Sequence, residues 1–431
     1  MGKAARRATA QGQPDLRRTL DRRLHDRWFG GRRRQGGRTA GHQQGDQHQQ
    51  AEPPPGLQDP VGDVNTIEND SRLLYHHAIF HVSIRPTMFK KVLCLSLLAA
   101  AGAAFAQEQV VNLYSARHYS TDEALYSNFT KATGIKINRV DADDAGILAR
   151  LKAEGAASPA DVILLVDAAR LYKGEVDGLF QPVKSKLLDD AIPAQYRARP
   201  TAEGTPWYGF STRARVIVYD KLRVRKEDVD TYEELADPKN KGKVCLRSGS
   251  HPYNLSLFGA VTEHLGEQKA EAWLKGIVDN MARAPKGGDT DQIKAVGSGE
   301  CQIAVSNTYY IARLLRSTAP EDRALMDKVG IVFPNQSSWG THLNIAGGAV
   351  ARYSKNQANA VKFLEYLASP EAQNYFANGN NEWPTARGVK VSNPALAAMS
   401  GGDFKAETIP LSAVGANQTR VQQMLDRVGF R

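Results

Sequence analysis

Tyrosine is the residue type whose placement could do chemistry in this 431-residue sequence. Three segments put it just beyond a run that reads as a strand. They are Ser115-Ala116-Arg117-His118-Tyr119, Arg247-Ser248-Gly249-Ser250-His251-Pro252-Tyr253 and Ser306-Asn307-Thr308-Tyr309-Tyr310. In a doubly wound α/β lobe, residues past the carboxyl ends of strands face the ligand crevice. A phenolate is a hard anionic oxygen, but a free phenol keeps its proton until about pH 10. Removing several such protons at neutral pH takes a strongly polarising cation. Ferric iron meets that demand, whereas zinc and copper prefer imidazole or thiolate. Spacing alone leaves a plainer reading open, in which these tyrosines are core-edge or carbohydrate-stacking residues. The Tyr309-Tyr310 pair poses its own problem, because neighbouring helical residues diverge by about 100°.

Other chemistries find less support. There is no GxSxG, HExxH, SxxK or P-loop pattern, so no enzyme is expected. Asp143-Asp144 and Asp189-Asp190 read as solvated loop or helix-edge charges. The histidines past residue 106 are His118, His251, His264 and His342, too scattered for a zinc site. The formal net charge of +10 is concentrated upstream: residues 1–106 hold 16 Lys/Arg and 9 Asp/Glu, leaving 40 basic and 37 acidic residues beyond. A nucleic-acid partner is therefore not expected.

Residues 1–87 carry an Arg run at 32–34, the tract QHQQ at 47–50 and prolines at 53–55, without a sustained apolar period. Such a composition buries too little apolar surface to offset chain entropy, and reads as a non-native or disordered upstream segment. From Met88 the pattern changes. Lys90-Lys91, an apolar run from Val92 to Ala101 and Ala104-Phe105-Ala106 make a secretory leader over 88–106, with mature chain from Gln107. The run is too short for a membrane span of roughly 20 residues, so a periplasmic protein that does not span the membrane is expected. In an oxidising compartment, the two remaining cysteines, Cys245 and Cys301, are expected to pair as a disulfide. Each precedes a tyrosine by eight residues, Tyr253 and Tyr309, so such a bridge would hold both tyrosine loops in register.

The elements that must position these loops alternate as βαβαβ. Val110–Tyr114, Lys136–Val140 and the apolar run Asp161–Val166 read as strands, with helices from Ser120, capped by Glu123 and stopped at Gly134, and over Ile147–Glu154. The β-branched stretch 207–220 carries the chain into a second lobe of the same style. There Val244–Leu246 and Gln302–Val305 read as strands, with helices at 254–265, 269–278 and 309–316. Strand 331–334 leads back. The expectation is a two-lobed α/β chain with two crossings and an interlobe cleft. Lobe 1 takes 107–210 with 336–385, lobe 2 takes 211–335 with 386–431, and the hinges fall near 205–213 and 333–340.

SARHY at 115–119, WYGFSTRARVIVYD at 207–220, the Tyr253 loop, NTYY at 307–310 and GTHLNIAGGAV at 340–350 resemble the ferric-ion-binding proteins of bacterial ATP-binding-cassette (ABC) importers. The likeness covers essentially all of 107–431 and is greatest to the branch of the cyanobacterial iron-deficiency-induced proteins. It implies a type II periplasmic binding fold, Fe3+ carried between the lobes, and delivery to an inner-membrane ABC permease. A monomer is expected. By resemblance Tyr119, Tyr253, Tyr309 and Tyr310 match tyrosinate ligands, His118 a histidine that ligates in some members, and Arg213, with Arg215 as the other candidate, an arginine beside the iron or on a carbonate. Four tyrosinates against Fe3+ leave one negative charge that an arginine would neutralise, so carbonate or another synergistic anion is optional. His342 and Asn344 belong to the last motif, as core support or cleft contacts. The alternatives are a binding protein for a polyamine or phosphonate, for which the Ser248-Gly249-Ser250 turn speaks, and a secreted two-lobed enzyme.

Overall fold

The computed structural model describes residues 109–431, His118 and Gly402 excepted. The upstream segment 1–87, the leader 88–106 and His118 thus lie outside the described residues.

The first half alternates strand and helix as the apolar periods require. It runs β1 (Val110–Ser115), α1 (Asp122–Thr133), β2 (Lys136–Asp141), α2 (Asp144–Glu154), β3 (Val162–Leu165), α3 (Ala168–Val176), β4 (Phe180–Gln181) and α4 (Lys186–Ala191). β1 lies between β2 and β3 and is parallel to both. All four residues of β3 are buried, which explains its unbroken apolar run. Helix α1 ends on Gly134 at φ 73°, a left-handed conformation that glycine adopts without a Cβ clash. Its start differs from expectation. The helix begins at Asp122, and Thr121 at the cap makes no capping bond. Glu123 instead accepts from Arg139 at 2.9 Å, so no capping box forms.

Then follows β5 (Tyr208–Asp220), whose 13 residues belong to two sheets. After it come β6 (Val244–Cys245), α5 (Pro252–Leu265), α6 (Glu267–Asn280), α7 (Asp289–Ser298), β7 (Ile303–Asn307), α8 (Thr308–Leu315), α9 (Pro320–Met326) and β8 (Val329–Val332). The chain closes with β9 (Leu343–Ala351), α10 (Gln357–Leu367), α11 (Pro370–Asn378), β10 (Trp383–Pro384), α12 (Pro394–Ser400), α13 (Leu411–Ala416) and α14 (Gln418–Val428).

Residues 208–214 of β5 pair antiparallel with β9, which pairs in turn with β3. Residues 215–220 pair with β7 on one side and β8 on the other, and β6 joins β7 in parallel. The ladder thus changes partners between Ala214 and Arg215. The second crossing runs from β8 to β9 through 333–342. Within it Asn335 sits at φ 61° and is fully buried. Its side chain accepts from the Tyr232 amide and donates to Glu233, which secures a conformation that non-glycine residues seldom hold.

Two core clusters line the first sheet, built on residues such as Leu113, Phe129 and Phe363 in one and Ile163 and Trp207 in the other. Two more line the second, with Trp273, Phe258 and Val305 in one and Val216, Ile293 and Ala304 in the other. Burying one such large side chain stabilises the fold by about 1.5–3 kcal/mol. Cys245 on β6 is bonded to Cys301 just before β7, with the Cα atoms 5.9 Å apart. The bridge therefore ties two neighbouring parallel strands, from the end of β6 that leads to the Tyr253 loop to a point just ahead of β7, whose far end leads to Tyr309.

Candidate metal centre

Four tyrosines from three strand ends meet in the cleft. Tyr119 follows β1, Tyr253 lies in the first turn of α5, and Tyr309 and Tyr310 open α8. The Tyr309 hydroxyl donates to that of Tyr253 at 3.2 Å. The Tyr119 and Tyr309 rings meet edge to face at 5.5 Å, and the Tyr309 and Tyr310 rings lie 4.2 Å apart. The neighbours at 309 and 310 share this space because they sit at the very start of α8. There Asn307 is extended (φ −75°, ψ 142°), so the rings lean together instead of radiating from a mid-helix turn. Tyr119, Tyr253 and Tyr310 also line an open cavity of about 880 Å³ between the lobes, with Arg117, Arg170 and Arg247 on its walls.

Burial holds the phenols of Tyr119, Tyr253 and Tyr309 neutral. Desolvation, then the Glu382 carboxylate, keep the Tyr119 phenol well above its ordinary value. Tyr309 is raised by burial and by the three other phenols. Tyr253 is raised chiefly by burial, with Arg213 pulling the other way. A bound cation would have to supply what water supplies to a free phenolate.

Arg213 provides the fixed positive charge. It is fully buried, with its guanidinium carbon 5.9 Å from the Tyr309 ring centre. None of its three guanidinium nitrogens has a hydrogen-bond partner among the described residues, although one lies 3.4 Å from Glu382. Burial disfavours its charge, but the Glu382 carboxylate and then the phenols outweigh that and raise its pKa. Arg215 is spent elsewhere. It binds Asp289, Asn254 and Asn307 and braces the starts of α5, α7 and α8. Of the two candidates, Arg213 has all three guanidinium nitrogens unclaimed beside the tyrosines, whereas Arg215 keeps only its Nε unpartnered among the described residues.

Glu382 was not singled out from the sequence. It accepts from Tyr119 at 2.9 Å and from Ser211 at 2.8 Å, and faces Arg117 and Arg213. Burial would raise its pKa, but Arg213 and Arg117 together hold it below the usual carboxylate range. Its approach depends on Asn381, whose left-handed φ of 59° turns the chain inward after α11. No local pattern announces that turn. Asp144 corrects a further expectation, since it is buried and accepts the Val166 amide at 2.8 Å, while its neighbour Asp143 caps α2 in solvent. Desolvation pushes the Asp144 carboxyl up to about 7.

The remaining motif residues are structural. Asn344 binds the Ala168 amide and Asp167, and His342 is buried on Glu407. His251 caps α5 by accepting the Tyr253 amide on Nδ1 at 3.2 Å. Burial, then Arg247, keep its imidazole down at about 3, so it stays neutral. The Ser248-Gly249-Ser250 turn does not line the cavity; Gly249 packs against Phe430, where an added Cβ would lie 2.8 Å from the ring. Among the described residues, no group of three or more His, Cys, Asp or Glu is placed to hold a metal ion, and no helix is long and apolar enough to cross a membrane.

Residues 124–398 match the family of bacterial extracellular solute-binding proteins. The chain belongs to that family. Among curated solute-binding relatives it is similar to iron uptake protein A1 of Synechocystis, 45% identical over 325 residues, covering 75% of this chain and 88% of that one. Among solved structures it resembles a Trichodesmium protein (IdiA, FutA) in complex with iron and citrate, at 48% identity and a TM-score of 0.69 over 75% of this chain and 100% of that one. The ferric binding protein of Campylobacter jejuni matches at 39% identity and a TM-score of 0.70, over 74% and 100%. The two-lobed architecture, its crossings and its cleft are those of the type II periplasmic solute-binding fold.

Proposed function

We propose that this solute-binding protein works in the periplasm, captures Fe3+ on tyrosinate oxygens in its interlobe cleft and delivers it to an inner-membrane ABC permease. The observation that carries this reading is the convergence of Tyr119, Tyr253, Tyr309 and Tyr310 on a buried guanidinium with no hydrogen-bond partner among the described residues. Hard phenolate oxygens and a fixed cation suit a small, highly charged metal ion. The relatives' names, iron uptake protein and ferric binding protein, agree with it. The chain acts as a carrier and not as a catalyst.

Charge supports a protein-only ligand set. Arg213 is shared with Glu382, and Arg117 with Asp122, so these four groups cancel. Four phenolates on Fe3+ then leave one net negative charge. A neutral fifth donor fits that balance better than carbonate, and His118 is the residue proposed for it. Lobe motion is assigned to the β5 switch at Ala214–Arg215 and to the 333–342 crossing. The placement of the Ser248–Ser250 turn removes the feature that favoured an organic anion.

The test is optical. Purified mature protein loaded with a ferric salt should turn yellow to red through tyrosinate-to-iron charge transfer. Tyr309→Phe and Tyr310→Phe should shift or abolish the band, while Tyr208→Phe, whose hydroxyl binds Asp189 away from the cleft, should not. A colourless protein without iron by elemental analysis would refute the proposal.

A further inference from the structure

The two ends of α8 make different contacts. Its first turn carries Tyr309 and Tyr310, and its core-facing side chains Ile311, Ala312 and Leu314 pack with Val216 and Ile293 against the second sheet. At the other end stands Arg316, exposed and one residue past the helix. Its Nη1 donates to the Asn378 carbonyl at 2.6 Å and to the side-chain oxygen of Asn381 at 2.7 Å. Both acceptors lie on the first sheet's side, since α11 packs through Ala372 and Phe376 into the core of Phe129 and Phe363. Asn378 is the last residue of α11, where carbonyls lack helical partners and the helix dipole favours a cation. Arg316 thus ties the tyrosine helix of the second sheet to the end of a helix of the first.

The tie secures a turn. Asn381 sits at φ 59°, a conformation that a non-glycine residue keeps only when its surroundings fix it. Its side-chain oxygen accepts from Arg316 and also from Asn393 Nδ2 at 2.9 Å, which uses both lone pairs. Asn393 donates in addition to the Ala377 carbonyl at 2.8 Å, in the last turn of α11. The next residue along the chain is Glu382. Its amide returns to the Phe376 carbonyl at 3.0 Å, and its carboxylate accepts the Tyr119 hydroxyl at 2.9 Å. Any shift of the Asn381 turn carries that carboxylate with it. A run of contacts therefore leads from Arg316 through Asn381 and Glu382 to Tyr119. Tyr309 stands seven residues back on Arg316's own helix, about 10 Å along its axis.

We propose that Arg316 is a positioning residue for Tyr119. By fixing the Asn381 turn from the far end of α8, it sets the Glu382 carboxylate, and through it the Tyr119 hydroxyl, in register with the tyrosines at the start of the same helix. On the iron-binding reading proposed above, one short helix aligns the phenols that come from the two sheets. The edge-to-face spacing of Tyr119 and Tyr309, 5.5 Å between ring centres, is then held from outside the cleft.

Arg316→Met tests this, because it removes the donors at an exposed site and keeps the length of the side chain. In the iron-free mature protein with ring-labelled tyrosine, it should shift or broaden the NMR signal of Tyr119, assigned by its loss in Tyr119→Phe. The signal of Tyr208, whose hydroxyl binds Asp189, should stay in place. With ferric nitrilotriacetate as the iron source, Arg316→Met should weaken binding about tenfold, at the low end for residues that orient metal ligands, with the denaturation midpoint near that of the wild type. On a Tyr119→Phe background it should cost nothing further, because the hydroxyl it positions is already gone. Asn381→Gly keeps the left-handed backbone and removes the acceptor, and decides the matter if Arg316→Met does not fold. An unmoved Tyr119 signal, or an equal loss of affinity with and without the Tyr119 hydroxyl, overturns the proposal. A wild type that takes up no iron would defeat the function proposed above and leave the NMR signal to judge this one.

Discussion

Loading the cleft with ferric iron should release three to four protons per ion at about pH 7.5, and the apparent affinity should climb by about three to four decades per pH unit. Tyr119, Tyr253 and Tyr309 are each held above the ordinary phenol range by burial, so each enters the empty site protonated. Glu382 has no proton to give, because Arg213 and Arg117 keep it ionised. Taking one proton from a phenol of pKa 10 at pH 7.5 costs at least about 3 kcal/mol, so three cost at least about 10 kcal/mol. Iron must offset that sum, which makes the site steeply selective for a highly charged, hard cation. The assay presents iron as ferric nitrilotriacetate in weakly buffered solution and counts protons with an indicator dye, after subtracting the chelator's own uptake. Competition titrations at three pH values supply the slope. Release of fewer than two protons, or a slope of one decade or less per pH unit, would refute the tyrosinate reading.

Four other outcomes follow from contacts described above. Arg213→Leu should leave Glu382 as a buried, underpaired carboxylate, destabilising the empty protein by about 3–5 kcal/mol in chemical denaturation and weakening iron binding as well. Asp144→Asn keeps the acceptor for Val166 while removing a carboxyl raised to about 7. The folded wild type holds a proton that the unfolded chain loses near pH 4, so its stability falls as pH climbs from about 4 to 7, by at most about 4 kcal/mol. The melting-temperature advantage of Asp144→Asn should therefore be small at pH 4.5 and largest at pH 8. Gly415→Val would drive a side chain into the Tyr172 ring, where an added Cβ already lies 2.5 Å from it, and should lower stability by about 1–3 kcal/mol in thermal unfolding. Cys301→Ser should weaken iron binding more than global stability, since the bridge holds the strands that launch both tyrosine loops; equal loss of the two by titration and calorimetry would argue against that role.

The parts legible in the sequence are those whose signal is local. The apolar run at β3, the β-branched stretch of β5 and the tyrosines placed just past β1 and β7 need no knowledge of the rest of the chain. Strands of two residues, such as β4 and β10, have no period to detect. Glu382 and Asp144 escaped for a related reason. A carboxylate reads as a surface group until its partners are known, and the arginine and tyrosine that hold Glu382 lie 265 and 263 residues away. The choice of Arg213 over Arg215 likewise needed the positions of Asp289 and Asn254, which occupy one guanidinium and leave the other facing the phenols.

Strand β5 carries Arg213 on one side of its change of partners and Arg215 on the other, with Ala214 between them. On the proposed reading, the hinge and the counter-charge are the same piece of backbone. A bend at Ala214 that parts the lobes also turns the Arg213 guanidinium relative to Tyr309, whose loop stays with the second sheet. On the same reading, the Tyr253 and Tyr309 phenolates would then lose a nearby cation as the gap widens, while Tyr119, which follows β1 of the first sheet, stays with Arg213. Opening would then work as a partial electrical discharge of the site as well as a mechanical exit, weakening the bonds made from the second lobe without touching them.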